Sequence, residues 1–319
     1  MNLLYIVWDV NEVAFSIGSF DIRWYAMCWC VGLVLAYVIV YKLYRQQQIP
    51  MEKFDPLFFY CFIGILVGSR LGHCLFYEPG YFLSHPVEMF LPIRQTADGW
   101  RFTGYSGLAS HGGTLGLILA LWLYVRRTKL NILRVVDNIA IATPVTACFI
   151  RLGNLMNSEI VGKPTGSDYG FIFPNGSELF SRTLPCYPAQ LYEAMAYLLF
   201  FFIGWALYRR YRERVGTGFF FGWCLTSIFV FRFFVEFLKA VQEPWELKMV
   251  DAIGLNQGQL LSIPFIVVGL YCMLGGKWCR RLGESESFSS MILSPPSSSS
   301  PSSSAGVVTV LVSVMGSSS

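Results

Sequence analysis

Charged residues are scarce in this sequence, and their scarcity excludes most water-soluble folds. Only 14% of the 319 residues are Asp, Glu, Lys or Arg, whereas 54% are hydrophobic. A soluble domain usually carries about 25% charged residues. The apolar runs are also too long and too frequent for the core of a soluble protein, so the sequence predicts an integral membrane protein.

Metal-binding patterns are absent. The sequence has 3 histidines, and none of its 9 cysteines forms a Cys-x-x-Cys pair or a His/Cys cluster with zinc spacing. Most of the cysteines lie in apolar runs, where thiols behave as small hydrophobic side chains. We therefore expect no metal site, and nothing in the sequence indicates a nucleic-acid partner.

The N-terminus lacks the basic region and the small-residue cleavage site of a secretory signal peptide. Its aromatic residues are mixed with Asp9, Asn11 and Glu12. We expect residues 1–22 to form an arm that lies at the membrane surface. At the other end, residues 283–319 are rich in Ser and Pro and cannot bury enough apolar surface to fold, so we expect a disordered tail.

Between these ends, the sequence contains runs that are long enough to cross a membrane, for which roughly 20 apolar residues are needed. The candidate spans are residues 24–43, 56–77, 107–125, 135–155, 189–208, 217–238 and 258–276. The sequence therefore predicts an all-α polytopic membrane protein of about seven helices, with residues 1–282 as one transmembrane domain. No internal repeat is found, which disfavours a transporter built from duplicated halves.

Basic residues orient the predicted helices. The loops 78–106, 156–187 and 239–257 each contain two Lys or Arg residues, whereas the intervening segments contain more. Those segments carry Lys42, Arg45, Lys53, Arg126, Arg127, Lys129, Arg134, Arg209, Arg210, Arg212, Arg214, Lys277, Arg280 and Arg281. Because Lys and Arg favour the cytoplasmic side, we expect the N-terminus outside and the C-terminus in the cytoplasm.

Polar side chains also occur inside the spans or at their ends, where they are costly and usually functional or paired. In the predicted orientation Asp137 lies near the cytoplasmic side, and the other polar residues share the outer leaflet. Those in the outer leaflet are Arg70, His111, Arg151, Asn154, Glu159, Gln190, Tyr192, Glu193, Arg232, Glu236 and Gln259. Independent helix ends would not place so many polar groups on one side by chance, so we predict a site in the outer half of the bundle.

Two motifs suggest what this site does. In Ser-His-Gly-Gly, His111 is suited to acid–base chemistry, and the glycines that follow let a backbone or a ligand approach closely. A capped structural histidine is the alternative. The segment 151–159 combines an arginine, two amides and a carboxylate, which can bind an anionic headgroup through charge-assisted hydrogen bonds. The alternative is a helix end with interface-seeking polar residues.

Two further segments are ambiguous when each is taken alone. Arg232 and Glu236 are four residues apart on one helical face and can pair, either for catalysis or only to neutralise a buried arginine. The segment Pro-Ala-Gln-Leu-Tyr-Glu, at 188–193, is either part of the site or an interfacial helix start.

Taken together, these segments resemble the prolipoprotein diacylglyceryl transferases over roughly residues 20–280. The matching segments, in order, are RWYAM (23–27), GSRLG (68–72), SGLASHGG (106–113), RLGNLMNSEIVGKPT (151–165), YPAQLYE (187–193), RFFVEF (232–237) and GQLLSIP (258–264). Two positions depart from the family pattern: Ile228 stands where a tyrosine is usual, and Tyr187 where a histidine is frequent.

The resemblance implies a multi-pass enzyme of the bacterial inner membrane that uses no cofactor and has its site toward the outer leaflet. Such an enzyme transfers the diacylglyceryl group of phosphatidylglycerol to the lipobox cysteine in the signal peptide of a prolipoprotein. A thioether forms and sn-glycerol 1-phosphate is released.

A non-catalytic phospholipid transporter or scramblase is the alternative, but a lipid path needs polar groups in the cytoplasmic leaflet, where only Asp137 qualifies. A receptor or structural membrane protein would have no use for the clustered charges.

The resemblance also implies residue roles. His111 would be a candidate base, acting directly or through a neighbour. Arg151 and Arg232 would hold the phosphate. Glu159 and Glu236 would orient these arginines. The substrate-binding candidates are Tyr25, Arg70, Gly112, Gly113, Asn154, Asn157, Gln190, Tyr192 and Glu193.

The predicted orientation can be tested by labelling introduced cysteines. A membrane-impermeant maleimide applied from outside should label a cysteine placed in loop 78–106 or 156–187, because both loops are predicted to face outward. A cysteine in segment 209–216 should react only after the membrane is permeabilised. Labelling of that segment in intact cells would reverse the orientation.

Overall fold

The computed structural model describes residues 5–18, 20–91, 93–96, 99–102, 109–176, 179–240 and 254–282. Within these ranges the helices include, in chain order, α1 (Trp24–Gln46), α2 (Met51–Phe76), α3 (Pro79–Ser84), α4 (Pro86–Phe90), α5 (Ser110–Thr128), α6 (Ile132–Met156), α7 (Ala189–Arg210), α8 (Phe219–Val235) and α9 (Gln257–Met273). The predicted tail lies outside the described residues.

Each predicted span corresponds to a helix in the structure. Helices α1, α2, α6 and α7 are long and apolar enough to cross a membrane, and α8 and α9 are shorter apolar helices of 17 residues each. The protein is therefore mostly helical and fits a polytopic membrane protein. The number of crossings and their direction stay predictions.

Most helix boundaries differ from the predicted ones by a few residues, and two of these differences have a clear physical reason. Helix α2 begins at Met51 rather than at residue 56, because the start of a helix tolerates charged side chains that an apolar span excludes. Helix α8 ends at Val235 rather than at residue 238. The chain turns there, and the backbone of Lys239 then pairs with that of Gly162.

Glycines bring helices α2 and α5 into backbone contact. Gly64, Gly68 and Gly72 on α2 face Gly112 and Gly116 on α5. A Cβ atom at Gly112 would overlap the carbonyl oxygen of Gly68, and one at Gly72 would lie 2.7 Å from the Cα atom of Gly112. Small residues are the usual means of close helix packing in a bilayer, where the hydrophobic effect does not drive helices together.

Helix α6 is central to the other half of the bundle, where it packs against α1, α7 and α8, while α8 packs against α9. Asp137, in the first half of α6, is fully buried. Its carboxylate accepts hydrogen bonds from the backbone N–H groups of Gly216 (2.8 Å), Gly218 (3.0 Å) and Phe221 (2.8 Å). These groups lie in the turn before α8 and in its first turn, where no intrahelical acceptor exists. Asp137 thus caps α8. Its carboxylate, which was the one polar group that could indicate a lipid path to the cytoplasmic leaflet, therefore has a structural role.

Short strands lie outside the helices, so the prediction of an all-α fold is incomplete. Strand β1 (Tyr5–Val7) pairs in parallel with β6 (Gly170–Ile172), β2 (Val13–Ile17) pairs antiparallel with β3 (Phe20–Arg23), and β4 (Ile93–Thr96) pairs antiparallel with β5 (Gly99–Phe102). Strands of three to five residues carry too little alternation to be recognised in a sequence.

The N-terminal arm is docked on the end of α6 and on the loop that follows it. The indole Nε1 of Trp8 donates a hydrogen bond to the carbonyl oxygen of Leu155 (3.0 Å). Trp8 also packs against a small apolar core that contains Leu155, Val161, Phe173 and Cys186. The arm therefore has a partner within the protein, and its predicted position at the membrane surface stays a prediction.

The glycine contact between α2 and α5 predicts a large difference between two substitutions. Gly112→Ala should destabilise the protein by roughly 1–3 kcal/mol, because the new Cβ atom has to displace the backbone of α2. Gly80→Ala, in α3, should leave stability unchanged, because a Cβ atom there meets nothing within 4 Å. Thermal unfolding of both variants in detergent measures the difference. Equal stabilities would contradict the packing role of Gly112.

Candidate active site

Five charged side chains meet at one end of the bundle, at the end of α6, the start of α7 and the end of α8. They form the series Arg151–Glu193–Lys239–Glu236–Arg232, named here the charge cluster. Arg151 Nε lies 3.1 Å from Glu193 Oε2, and Lys239 Nζ lies 3.1 Å from Glu193 Oε1. Lys239 Nζ also lies 3.0 Å from Glu236 Oε1, which in turn lies 3.6 Å from Arg232 Nε. Positive and negative groups thus alternate along the series.

Within the cluster, exposure increases from Glu193 through Lys239 and Glu236 to Arg232, and Arg151 is 15% exposed. The side chain of Glu193 is 0% exposed and that of Lys239 6%, whereas that of Arg232 is 36% exposed. Opposite charges attract more strongly in such a poorly solvated interior than in water. The pairing is therefore strongest around the buried Glu193 and Lys239, and the guanidinium of Arg232 is the most accessible group of the cluster.

Amide groups connect Arg151 to the segment that follows α6. Arg151 Nη1 donates to Asn154 Oδ1 (3.2 Å), and Asn154 Nδ2 donates to Glu159 Oε1 (2.6 Å). Gln190, in the first turn of α7, donates through Nε2 to the backbone oxygen of Glu159 (2.6 Å). Arg151, Asn154, Glu159 and Gln190 are thus brought together, as the prediction of a common site requires.

The partner of Arg151 differs from the expected one. Glu159 was expected to orient an arginine, but it reaches Arg151 only through Asn154, and the direct ion pair is made by Glu193. Glu159 follows the end of α6, so its direction depends on a turn rather than on a helical face. The expected pairing of Glu236 with Arg232 is present, at 3.6 Å.

Tyr25 lies beside this arrangement. It belongs to the first turn of α1, and its ring packs against Gly153 of α6, where a Cβ atom would lie 2.9 Å from Tyr25 Cδ2. Asn157 is the C-cap of α6, and its backbone N–H donates to the carbonyl oxygen of Gly153 (3.1 Å). Tyr192 is 37% exposed on α7. Their roles in substrate binding stay predictions.

The remaining predicted site residues lie on the α2–α5 pair. Gly112 and Gly113 make room for α2, since a Cβ atom at Gly113 would overlap Ser69 Oγ. Arg70 stacks on Phe82 at 4.8 Å and donates to the backbone oxygen of Glu88 (2.7 Å). Packing between the helices is enough to explain why these residues stand at these positions. Their predicted contacts with substrate stay predictions.

His111 is exposed in the first turn of α5. Among the residues that the structure describes, it forms no hydrogen bond or ion pair. The imidazole is therefore available to solvent or to a ligand at the same end of the bundle as the charge cluster, and its role as a base stays a prediction.

Sequence reasoning missed Lys239, which is 5% exposed. It was counted among the basic residues of an outer loop, whereas the structure places its amine between two carboxylates. Its spacing of three residues from Glu236 was the available signal, because residues three apart share a helical face. Tyr197 was also missed: its hydroxyl donates to Glu193 Oε1 (3.1 Å), and Ile228 packs nearby.

The helices and the charge cluster define a class: an integral membrane protein with a polar site at one end of its bundle. A family model described as Prolipoprotein diacylglyceryl transferase matches residues 12–275. The phosphatidylglycerol–prolipoprotein diacylglyceryl transferase of Bacteroides fragilis is 54% identical over 272 residues, which cover 85% of this chain and 95% of that protein. The enzyme of the same name from Porphyromonas gingivalis is 42% identical over 278 residues, covering 85% and 94%. The chain belongs to the prolipoprotein diacylglyceryl transferase family.

Because Glu193 and not Glu159 forms the direct ion pair with Arg151, the two glutamates should contribute differently to stability. Glu193→Gln should destabilise the protein by on the order of 3 kcal/mol, because it leaves Arg151 and Lys239 with less compensation in a buried site. Glu159→Gln should cost about 1 kcal/mol or less, because its side-chain oxygen still accepts a hydrogen bond from Asn154. Thermal unfolding in detergent measures both. Equal losses would contradict the assignment of Glu193 as the buried partner.

Proposed function

We propose that this protein transfers the diacylglyceryl group of phosphatidylglycerol to the lipobox cysteine thiol of a prolipoprotein, at the outer leaflet of a bacterial inner membrane. The observation that carries the proposal is the charge cluster of Arg151, Glu193, Lys239, Glu236 and Arg232. Family membership supports it, because relatives that are named for this reaction cover most of the chain.

The proposed reaction is a substitution at the glycerol carbon that carries the phosphate. The thiol first loses its proton, since the thiolate is the nucleophile and a free thiol has a pKa near 8.5. The sulfur then forms a bond to this carbon, and the bond from the carbon to the phosphate oxygen breaks. Its electron pair leaves with the phosphate, so the products are a thioether and sn-glycerol 1-phosphate.

The charge cluster suits the leaving phosphate. Its three cations outnumber its two carboxylates by one charge, and the further carboxylate of Glu159 reaches Arg151 only through Asn154. A phosphodiester carries one negative charge, and the departing phosphate gains more, which arginines stabilise in a poorly solvated site. Within the described residues Arg232 has one ion pair, through Nε, which leaves its Nη groups for a ligand. We assign phosphate binding to Arg232 and Arg151.

His111 is the candidate for removing the thiol proton, directly or through a neighbour, because an imidazole nitrogen can accept a proton and pass it on. It begins α5, and the helices that carry the charge cluster begin or end at the same end of the bundle. Asn154, which accepts a hydrogen bond from Arg151, would contact the headgroup, and Tyr25, which packs against Gly153, would line the site.

The arginine geometry predicts the effect of a conservative change. Arg151→Lys keeps the charge but loses the planar fork that binds two oxygens at once. We expect this variant and His111→Gln to insert and accumulate normally but to lose most of the transferase activity. Arg127→Lys, at an exposed position in the last turn of α5, should have no effect.

The measurement is thioether formation on a synthetic lipobox peptide, using purified protein and phosphatidylglycerol vesicles, normalised to folded protein. Absence of product with the wild-type protein would overturn the proposed function. Full activity of Arg151→Lys would remove that arginine from phosphate binding. A parallel loss of thermal stability and activity in Arg151→Lys would show that its role is structural.

A further inference from the structure

We propose that Lys239 is a positioning residue for headgroup binding: it makes the charge cluster net positive and keeps Arg232 weakly paired, and therefore available to an anionic phosphate. The inference rests on the proposed function, since it concerns the same site. Lys239 itself is too buried to touch the substrate, because its side chain is 6% exposed.

The backbone on both sides of Lys239 fixes where its side chain points. The N–H of Lys163 donates to the carbonyl oxygen of Leu238 (2.7 Å), and the N–H of Ala240 donates to that of Val161 (3.2 Å). Gly162 allows this approach, because a Cβ atom there would lie 2.9 Å from the carbonyl oxygen of Leu238. The segment after α6 thus holds the segment after α8, and Lys239 Nζ is placed between α7 and α8.

Lys239 divides the oxygens of Glu193 between two cations. Oε1 of Glu193 contacts Lys239 Nζ (3.1 Å), and Oε2 contacts Arg151 Nε (3.1 Å). A buried ammonium is costly unless carboxylates compensate it, and a buried carboxylate is equally costly without cations. Lys239 and Glu193 therefore stabilise each other. Because Lys239 compensates part of the negative charge of Glu193, Arg151 does not have to compensate all of it.

At Glu236 the lysine competes directly with Arg232. Both cations approach the same oxygen, Oε1, but Lys239 Nζ is closer (3.0 Å) than Arg232 Nε (3.6 Å). The other oxygen, Oε2, accepts a hydrogen bond from Asn256 Nδ2 (3.2 Å). Glu236 is thus largely occupied by groups other than Arg232, so the exposed guanidinium remains only partly neutralised.

Removal of the amine changes the electrostatics of binding. Without Lys239 the cluster has two cations and two carboxylates, so its net charge falls to 2 − 2 = 0. Glu236 Oε1 would then be free to pair closely with Arg232. A bound phosphodiester would leave the site with a net negative charge, which is unfavourable where solvent screens poorly. Headgroup binding should weaken, whereas binding of the lipobox peptide, which is not assigned to the cluster, should change less.

The test compares Lys239→Met, Lys239→Gln and Lys239→Arg with a matched control, Lys163→Met. Lys163 is exposed two residues after Val161, so this control removes one positive charge near the site without touching the cluster. In Lys239→Met and Lys239→Gln the KM for phosphatidylglycerol should rise at least about tenfold, because one nearby positive charge is lost. The KM for the lipobox peptide should change less than about twofold. Lys239→Arg and Lys163→Met should keep wild-type values.

A second readout does not depend on turnover. Binding of sn-glycerol 1-phosphate, measured as stabilisation against thermal unfolding, should weaken in Lys239→Met and Lys239→Gln and persist in Lys239→Arg. If the wild-type protein binds this phosphate but forms no thioether, the proposed function fails, and the binding series still tests the role of Lys239.

Some outcomes would overturn the inference alone. Wild-type KM and wild-type phosphate binding in Lys239→Gln would show that the charge of Lys239 does not matter. Equal changes in the KM values of both substrates, or a loss of kcat alone, would point to general support of the site. Failure of both Lys239→Met and Lys239→Gln to fold would assign Lys239 to stability alone.

Discussion

Glu193 carries a charge that cannot be solvated, because its side chain is completely buried in the bundle. Its compensation by Arg151 and Lys239 is the constraint on which the rest of the site depends. Loss of one partner of this buried carboxylate would cost several kcal/mol of stability. The charged side chains of α6, α7 and the segment after α8 therefore have to lie at the same depth in the bundle. The ion pairs consequently fix the register of three parts of the chain that hydrophobic packing alone would leave free to slide.

Small residues make this arrangement possible. Gly258, in the first turn of α9, lies against the carboxylate of Glu236, since a Cβ atom there would be 2.6 Å from its Cδ atom. Gly153 admits the ring of Tyr25, and Gly162 admits the backbone that carries Lys239. At the opposite end of α6, Asp137 holds the start of α8 through backbone hydrogen bonds. Helix α8 is therefore fixed near both ends, and Arg232 and Glu236 extend from a helix that cannot easily rotate.

The sequence predicts the parts of this structure that depend on local pattern. Long apolar runs predicted the helices, and the four-residue spacing predicted the pairing of Arg232 with Glu236. The alternation of spans predicted that the polar groups share one end of the bundle. Glu193 and Arg151 lie on different helices and are 42 residues apart in sequence, so no local period reveals their pairing. Lys239 was misassigned because a lysine just beyond an apolar run is usually solvated, and only the backbone pairing with 161–163 turns it inward.

The two glycines after His111 show why a family motif does not by itself assign roles. Gly112 and Gly113 belong to the most recognisable segment of the sequence, and a ligand-binding loop and a helix contact both require residues without a Cβ atom. The structure gives them a packing partner in α2, so their presence constrains the position of α5. Through α5 they fix where His111 emerges, so these glycines support the predicted chemistry even without touching the substrate.

The exposure gradient along the charge cluster bears on whether the cluster is only structural. A set of buried charges that served packing alone would be most stable with a net charge of zero and no exposure to solvent. Such sets can often be replaced by apolar residues without loss of stability. This cluster instead has an excess positive charge, and its least buried member, Arg232, has the longest ion pair. In the empty protein the positive charge of Arg232 is only partly compensated by Glu236, and an anion that binds there completes the compensation. This energetic difference between the two states is what binding and stabilisation of a leaving phosphate require.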